Sequence, residues 1–342
     1  MSVDTGLVTP FIKKGALFFF EEEEISFFFS GDNFATWDHL YYSIPGMLQF
    51  QLFGITYVGA DICGFISDTT EELCARWMQL GSFYTFSRNH NTISARSQEP
   101  YLWESVAKNS RTSLAIRYSL LNYYYTLLYQ ASQNGAAVIR PLFYEHPSDS
   151  TTFAIDRQFY VGASILVTPV LSQGATSVTG YLPAGEWYDW YTLTKIAHLV
   201  VGEYRDFTAP LDYIPIHIRG GGIIPTQSPG YTTTETRSNP FELIVALNSD
   251  LTASGFLYAD DGYYPLFFCQ VLFLFDFVDL SLLLFFYAET RSTPQIQLPQ
   301  RSPTRPAITS SRPLARTASP SSLLCTRSRS SASPPLGRRV SP

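Results

Sequence analysis

Cysteine is scarce in this chain, and its placement excludes two classes of site. Four cysteines in 342 residues are too few for a disulfide scaffold, and none of Cys63, Cys74, Cys269 and Cys325 stands at C-x-x-C or comparable metal-ligand spacing. Buried thiols, no metal and no other cofactor are therefore expected. The first 30 residues lack the basic start, apolar run and small-residue cleavage site of a secretory signal. No N-x-[ST] acceptor with a permitted middle residue occurs anywhere. Acidic residues are absent from 291–342, a stretch that holds nine of the 23 basic residues, all of them Arg. Residues 1–290 consequently carry 14 basic side chains against 29 acidic ones. Such an acidic body repels nucleic acid and polyanionic substrates and leaves neutral ligands such as sugars unaffected. An aromatic content of 15% suits that last class of partner.

Composition divides the chain into a low-complexity start at 1–29, mixed helix and strand at 30–150, strands and turns at 151–264, an apolar segment at 265–290 and a tail at 291–342. In the first, "ALFFFEEEEISFFF" follows neither the helical nor the strand period. In the second, residues 35–44 read as a helix that Pro45 stops or restarts. The run "GITYVGADICGF" reads as a buried parallel strand delivering a polar loop. Asp68 and Glu71 resemble a capping box ahead of "ELCARWMQLG", whose Leu73, Trp77 and Leu80 fall on one helical face. Pro100 opens a helical stretch to about Gln133, Asn134 and Gly135 end it, and "AAVIRPLFY" supplies a further buried strand. This alternation is that of an α/β fold with a parallel sheet. After residue 150, β-rich runs separated by Gly, Pro, Asp and Asn predict an all-β domain.

Residues 265–288 are long enough to span a bilayer, yet Asp276 and Asp279 near the centre each cost about 2.5–3.5 kcal/mol there, which argues against a membrane helix. The Arg/Ser/Pro-rich tail cannot build a core and is expected to be a disordered, solvated segment rather than a nucleic-acid or lipid ligand.

Three motifs, "SGDNFATWDHL", "YVGADICGF" and "FYTFSRNHN", followed in order by "PLFYEHP", "YLPAGEWYDWYT" and "LYADDG", resemble the α-glucosidases of glycoside hydrolase family 31 over residues 30–262. The resemblance implies the last strands and helices of a (β/α)8 TIM-type barrel followed by an all-β sandwich domain. It implies retaining hydrolysis of terminal α-linked glucose, with a small carbohydrate as the partner. Asp32 then corresponds to the general acid/base, although by itself it reads equally as a cap for the helix that follows. Asp61 resembles a carboxylate lining the −1 subsite, against a local reading as a strand-end Asx turn. His90 resembles the histidine that bonds a glucosyl hydroxyl, against a satisfied loop histidine. Arg88 fits an ion-pair partner of a buried carboxylate better than a sugar ligand. Trp37 and Phe65 are candidates for the sugar's apolar face, Trp37 equally for plain core.

Retaining glycosidases use two carboxyl groups about 5–5.5 Å apart, one as acid/base and one as nucleophile. The family's W-x-D-M-N-E nucleophile motif has no counterpart in these 342 residues, and none of Met1, Met47 and Met78 follows an aspartate. The expectation is a catalytically incomplete chain, or a non-catalytic carbohydrate-binding one. The abrupt changes of composition at both joins are what translated non-coding sequence or a shift of reading frame would produce. Members of the family often work in secretory or lysosomal settings.

Overall fold

The computed structural model describes residues 28–29, 31–260, 267–274 and 314–316. The remainder of the Phe/Glu-rich start, of the apolar segment and of the Arg-rich tail lies outside the described residues.

The first half alternates very short strands with helices. Strand β1 (Phe28–Phe29) pairs in parallel with β2 (Val58–Gly59), and β3 (Asp61–Ile62) pairs in parallel with β4 (Arg88–Asn89). Helix α1 (Trp37–Leu52) begins at Thr36, whose hydroxyl accepts from the His39 amide at 3.3 Å. Pro45 lies inside this helix and does not stop it. Leu40, Ile44, Met47 and Leu48 hold the helix on the core, and the Tyr41 carbonyl that Pro45 leaves without a donor belongs to a residue still reached by water. Helix α2 (Glu71–Gly81) buries Leu73, Trp77 and Leu80, the face its spacing predicts. Its cap is Thr70, which accepts from the Leu73 amide, and the anticipated pair of Asp68 and Glu71 does not form. Asp68 instead accepts the Arg96 amide at 2.6 Å, because the loop after β4 returns across it.

The helical stretch after Pro100 is three pieces: a turn of 3₁₀ helix at Pro100–Leu102, α3 (Glu104–Ser119) and α4 (Leu121–Asn134). Gly135 ends α4 in the left-handed conformation, with φ of 73°. Strand β5 (Ile139–Arg140) does not extend the parallel series, since it pairs antiparallel with β6 (Phe159–Val161) at the edge of the following sheet. The chain then runs through β7 (Ile165–Val167), β8 (Ser177–Leu182), β9 (Gly185–Asp189), β10 (Lys195–Leu199), β11 (Glu203–Thr208), β12 (Ile216–Arg219), β13 (Ile223–Gln227), β14 (Phe241–Ala246) and β15 (Thr252–Ala259). The main sheet has the order β10-β9-β12-β7-β6-β5, and β11 pairs with β8. All strand ladders among the described residues of this half are antiparallel, and a single parallel bridge joins Gly222 to Ser254. Residues Phe267–Leu274 form a strand antiparallel to β15, so that part of the apolar segment is not helical. No helix among the described residues is long and apolar enough to cross a membrane.

One apolar cluster runs through both halves, from Leu40, Ile44 and Trp77 to Val161, Ile165, Ile216 and Ile244. Arg76 reinforces the junction. Only 2% exposed, it donates to the carbonyls of Ala175, Ala209, Pro210 and Tyr213 at 2.8–3.1 Å. From the neighbouring turns Gln79 and Asn109 both donate to the Leu211 carbonyl at 2.8 Å. Substituting Arg76→Leu preserves bulk and strands these carbonyls. We expect it to lower stability by about 3 kcal/mol or more, read as the midpoint of urea unfolding; an unchanged midpoint would refute the clamp.

His217, on β12, is 3% exposed, and its Nδ1 has no hydrogen-bond partner among the described residues. Burial lowers its pKa from 6.5 to about 4, with the Asp189 charge opposing and the Arg205 charge assisting. The folded state therefore holds the neutral ring while the unfolded chain takes up a proton, so stability is lost as pH falls from 6.5 toward about 4. The slope from one such group is at most about 1.4 kcal/mol per pH unit. Urea midpoints taken at pH about 6.5 and about 4.5 should converge in His217→Gln; parallel losses in variant and wild type would remove His217 as the cause.

Candidate functional site

The local backbone explains how distant motifs meet. Asn33, 6% exposed, uses its side-chain amide like an extra strand segment: Nδ2 donates to the Asp61 carbonyl at 2.9 Å and Oδ1 accepts from the Asp61 amide at 3.1 Å. Its own carbonyl accepts the amides of Phe65 and Ile66 at 2.7 and 3.0 Å. The loop leaving β3 is thus laced to the segment ahead of α1. Gly64, at φ of 95°, lies against Ala35 so closely that a Cβ there would stand 2.3 Å from the Ala35 Cα. Only glycine fits this crossing.

On that frame the acidic and basic side chains converge. Asp61 is 3% exposed, and Arg88 donates to its Oδ1 twice, from Nε at 2.9 Å and Nη2 at 2.7 Å. Oδ2 has no hydrogen-bond partner among the described residues. Burial raises the Asp61 pKa; the bond and charge of Arg88 and the charge of His90 pull it down, while Asp32 pushes it up. Asp32 and His90 are therefore both within electrostatic reach of Asp61. Both are exposed, Asp32 on the loop before α1 and His90 just beyond β4. The His90 ring lies 5.3 Å from that of half-buried Phe65, centroid to centroid. Trp37 is half-buried and packs onto the main core cluster.

Sequence patterns missed the polar frame around this group. Asn33 and Asn89 stand beside the motif residues, yet nothing marked their amides as structural. Gln98, 3% exposed, gathers four oxygens around its Nε2. The expectation of buried thiols is corrected for Cys63 and Cys74, which form a disulfide joining the loop after Asp61 to the first turns of α2. A bond across 11 positions could have been weighed from the spacing; without a sign of an oxidising compartment, core thiols were the simpler expectation. No group of three or more His, Cys, Asp or Glu suited to a metal occurs among the described residues. A cavity of about 520 Å³ lies elsewhere, between α4 and the β half, lined by Tyr123, Arg140, Arg219 and Phe256 among others.

Comparison with known proteins matches residues 18–127 to the glycosyl hydrolases family 31 TIM-barrel domain and residues 135–224 to the glycosyl hydrolase family 31 C-terminal domain. The first match takes in residues 18–29. A family 31 glucosidase of Schizosaccharomyces pombe is 52% identical over 235 residues, which is 68% of this chain and 24% of the relative. An alpha-glucosidase of Hordeum vulgare is 49% identical, covering 70% of this chain and 27% of its own. The crystal structure of glucosidase II alpha subunit in its DNJ-bound form superposes with a TM-score of 0.69 at 34% identity, over 72% of this chain and 27% of that one. The chain spans about a quarter of the length of the relatives it matches. Its architecture is that of part of a TIM-type barrel followed by an all-β domain.

The disulfide anchors the loop that carries Asp61, and its loss frees a loop closed across 11 positions. Replacing Cys63 and Cys74 together by serine should cost about 2–3 kcal/mol on the chain-entropy account. Calorimetric unfolding of the double variant measures this; a melting profile superposing on that of the oxidised wild type would refute a structural role.

Proposed function

The chain belongs to glycoside hydrolase family 31, and from that membership we propose that residues 30–150 carry the proton-donating and sugar-holding side of a retaining α-glucosidase site, with residues 151–264 as the β domain that supports it. Asp32 is the acid/base that protonates the leaving glycosidic oxygen. Asp61 and His90 hold sugar hydroxyls in the −1 subsite, and Phe65 offers an apolar edge to the ring. Arg88 acts through Asp61 rather than on the sugar, and Trp37 supports the base of the loop from the core. Terminal α-linked glucose is the substrate class.

The observation that carries this reading is the division of labour on Asp61: one oxygen is fixed twice by Arg88 and the other is left to a ligand, beside an exposed carboxylate and an exposed imidazole. A carboxylate so held cannot swing, and it accepts hydrogen bonds from neutral hydroxyls without changing charge. Bonds of this kind that strengthen as the sugar distorts supply several kcal/mol in glycoside hydrolysis.

Since the W-x-D-M-N-E motif is not among the 342 residues, the polypeptide taken alone is expected to bind glucose-like ligands without turning over a glycoside. Titration calorimetry with 1-deoxynojirimycin should give a saturable isotherm that Asp61→Asn and His90→Ala each weaken roughly tenfold or more, the worth of one charge-assisted hydrogen bond. Incubation with an aryl α-glucoside should release no aglycone above background. Absence of binding would sink the site assignment. Hydrolysis abolished by Asp32→Ala would instead establish a second carboxylate within the chain.

A further inference from the structure

The strand carrying Arg88 and Asn89 and the loop carrying Asp61 to Gly64 must keep a fixed register for Asp61 and His90 to act on one ligand. The β3–β4 pairing is only two residues long, Asp61 opposite Arg88 and Ile62 opposite Asn89. A ladder so short supplies too few backbone bonds to fix the relative height of two loops beyond its end. Below it lies Gln98, brought back by the turn after His90. That turn is tied by Asn91 Nδ2 donating to the Arg96 carbonyl at 2.7 Å and by the Thr92 amide donating to the Phe65 carbonyl at 2.9 Å.

Gln98 Nε2 stands 3.1 Å from the Ile62 carbonyl, 3.0 Å from that of Gly64, 3.0 Å from Asn89 Oδ1 and 3.3 Å from the His90 carbonyl. Two of these oxygens belong to the Asp61 loop and two to the His90 strand. Asn89 Nδ2 in turn donates to the Gln98 main-chain carbonyl at 3.0 Å, so the two residues are joined twice. An amide nitrogen carries two hydrogens, and here it serves oxygens from both sides at once. Three of the acceptors are backbone carbonyls, which fix the amide's orientation: with nitrogen and oxygen exchanged, the Gln98 oxygen would face three carbonyl oxygens. Gln98 Oε1 is buried without a partner among the described residues. A residue kept there only to fill space would be better as leucine or methionine, since the unmet oxygen carries a cost that the apolar side chains avoid.

We propose that Gln98 is a positioning residue that locks the Asp61 loop and the His90 strand into one register, so that the carboxylate and the imidazole address the same bound sugar. It touches no ligand itself. The sugar-binding part of this role rests on the functional reading above; the coupling of the two segments does not.

The test uses the full chain and two readouts. The five histidines give five Cε1–H resonances, and the His90 signal is assigned by its disappearance in His90→Ala. In Gln98→Leu, which retains volume and removes the donor, the His90 resonance is expected to shift while those of His198 and His217 stay in place. The affinity for 1-deoxynojirimycin should fall about tenfold, one buried hydrogen bond's worth. Gln98→Asn keeps an amide one methylene short and serves if the leucine variant does not fold; it should move the same resonance with a smaller loss of affinity. A His90 resonance unmoved in the folded variants overturns the proposal. A moved His90 resonance with no iminosugar binding by the wild type supports the coupling and removes the functional reading instead.

Discussion

A carboxylate with almost no contact with water is the constraint around which this part of the molecule is arranged. Asp61 is 3% exposed, and an isolated charge at such depth would simply take up a proton. Arg88 works against that with two bonds to one oxygen, and to keep Arg88 opposite Asp61 the strands that bear them must be in register. The laced main chain at Asn33, the glycine crossing at Gly64 and the disulfide at Cys63 all limit how far the Asp61 loop can drift from that partner. Removing water from a polar site strengthens its interactions, and it also makes any slip in geometry more costly.

The same logic recurs at the junction of the two halves. Arg76 and Arg117 are buried cations without a carboxylate at hydrogen-bond distance among the described residues, and the terminal nitrogens of each donate to main-chain carbonyls: Ala175, Ala209, Pro210 and Tyr213 for the first, which also reaches Gln79 Oε1, and Ser82, Tyr84 and Thr85 for the second. Loops that would otherwise bury unsatisfied carbonyls are thereby fixed to helices. The α/β half and the β half share one apolar cluster, so the loops of the site rest on a platform to which both contribute.

What could be read from the sequence divides along physical lines. The helix at Glu71–Gly81 was legible because Leu73, Trp77 and Leu80 repeat at the helical period, and the pairing of Arg88 with a buried carboxylate because both stand in short unbroken motifs. Pro45 misled because a local preference was outweighed by burial of Ile44, Met47 and Leu48, a tertiary effect that no short window contains. Strand Ile139–Arg140 was legible as a buried strand, but its antiparallel partner lies 20 positions on, in the next domain's sheet. Asn33 and Gln98 were invisible for a further reason: an amide inside a motif looks like turn chemistry until the carbonyls it serves are known, and those of Gln98 lie 8 to 36 positions away.

Two aspartates in one site need not be equivalent, and their surroundings here separate what each is able to do. Asp61 is fixed, desolvated and bound to a guanidinium, and to move it would have to break two charged bonds. Asp32 is exposed and has neither hydrogen bond nor ion pair with a described residue. A group that passes protons to a leaving oxygen and then takes one from water must be reachable by both, and Asp32 is exposed. A group proposed to hold neutral hydroxyls in one orientation while positive charge grows on the sugar must stay fixed, as Asp61 is by its two bonds to Arg88. The proposed division, with proton transfer at Asp32 and holding at Asp61, rests on these surroundings together with the motifs. Exchanging the roles would require Arg88 to be elsewhere.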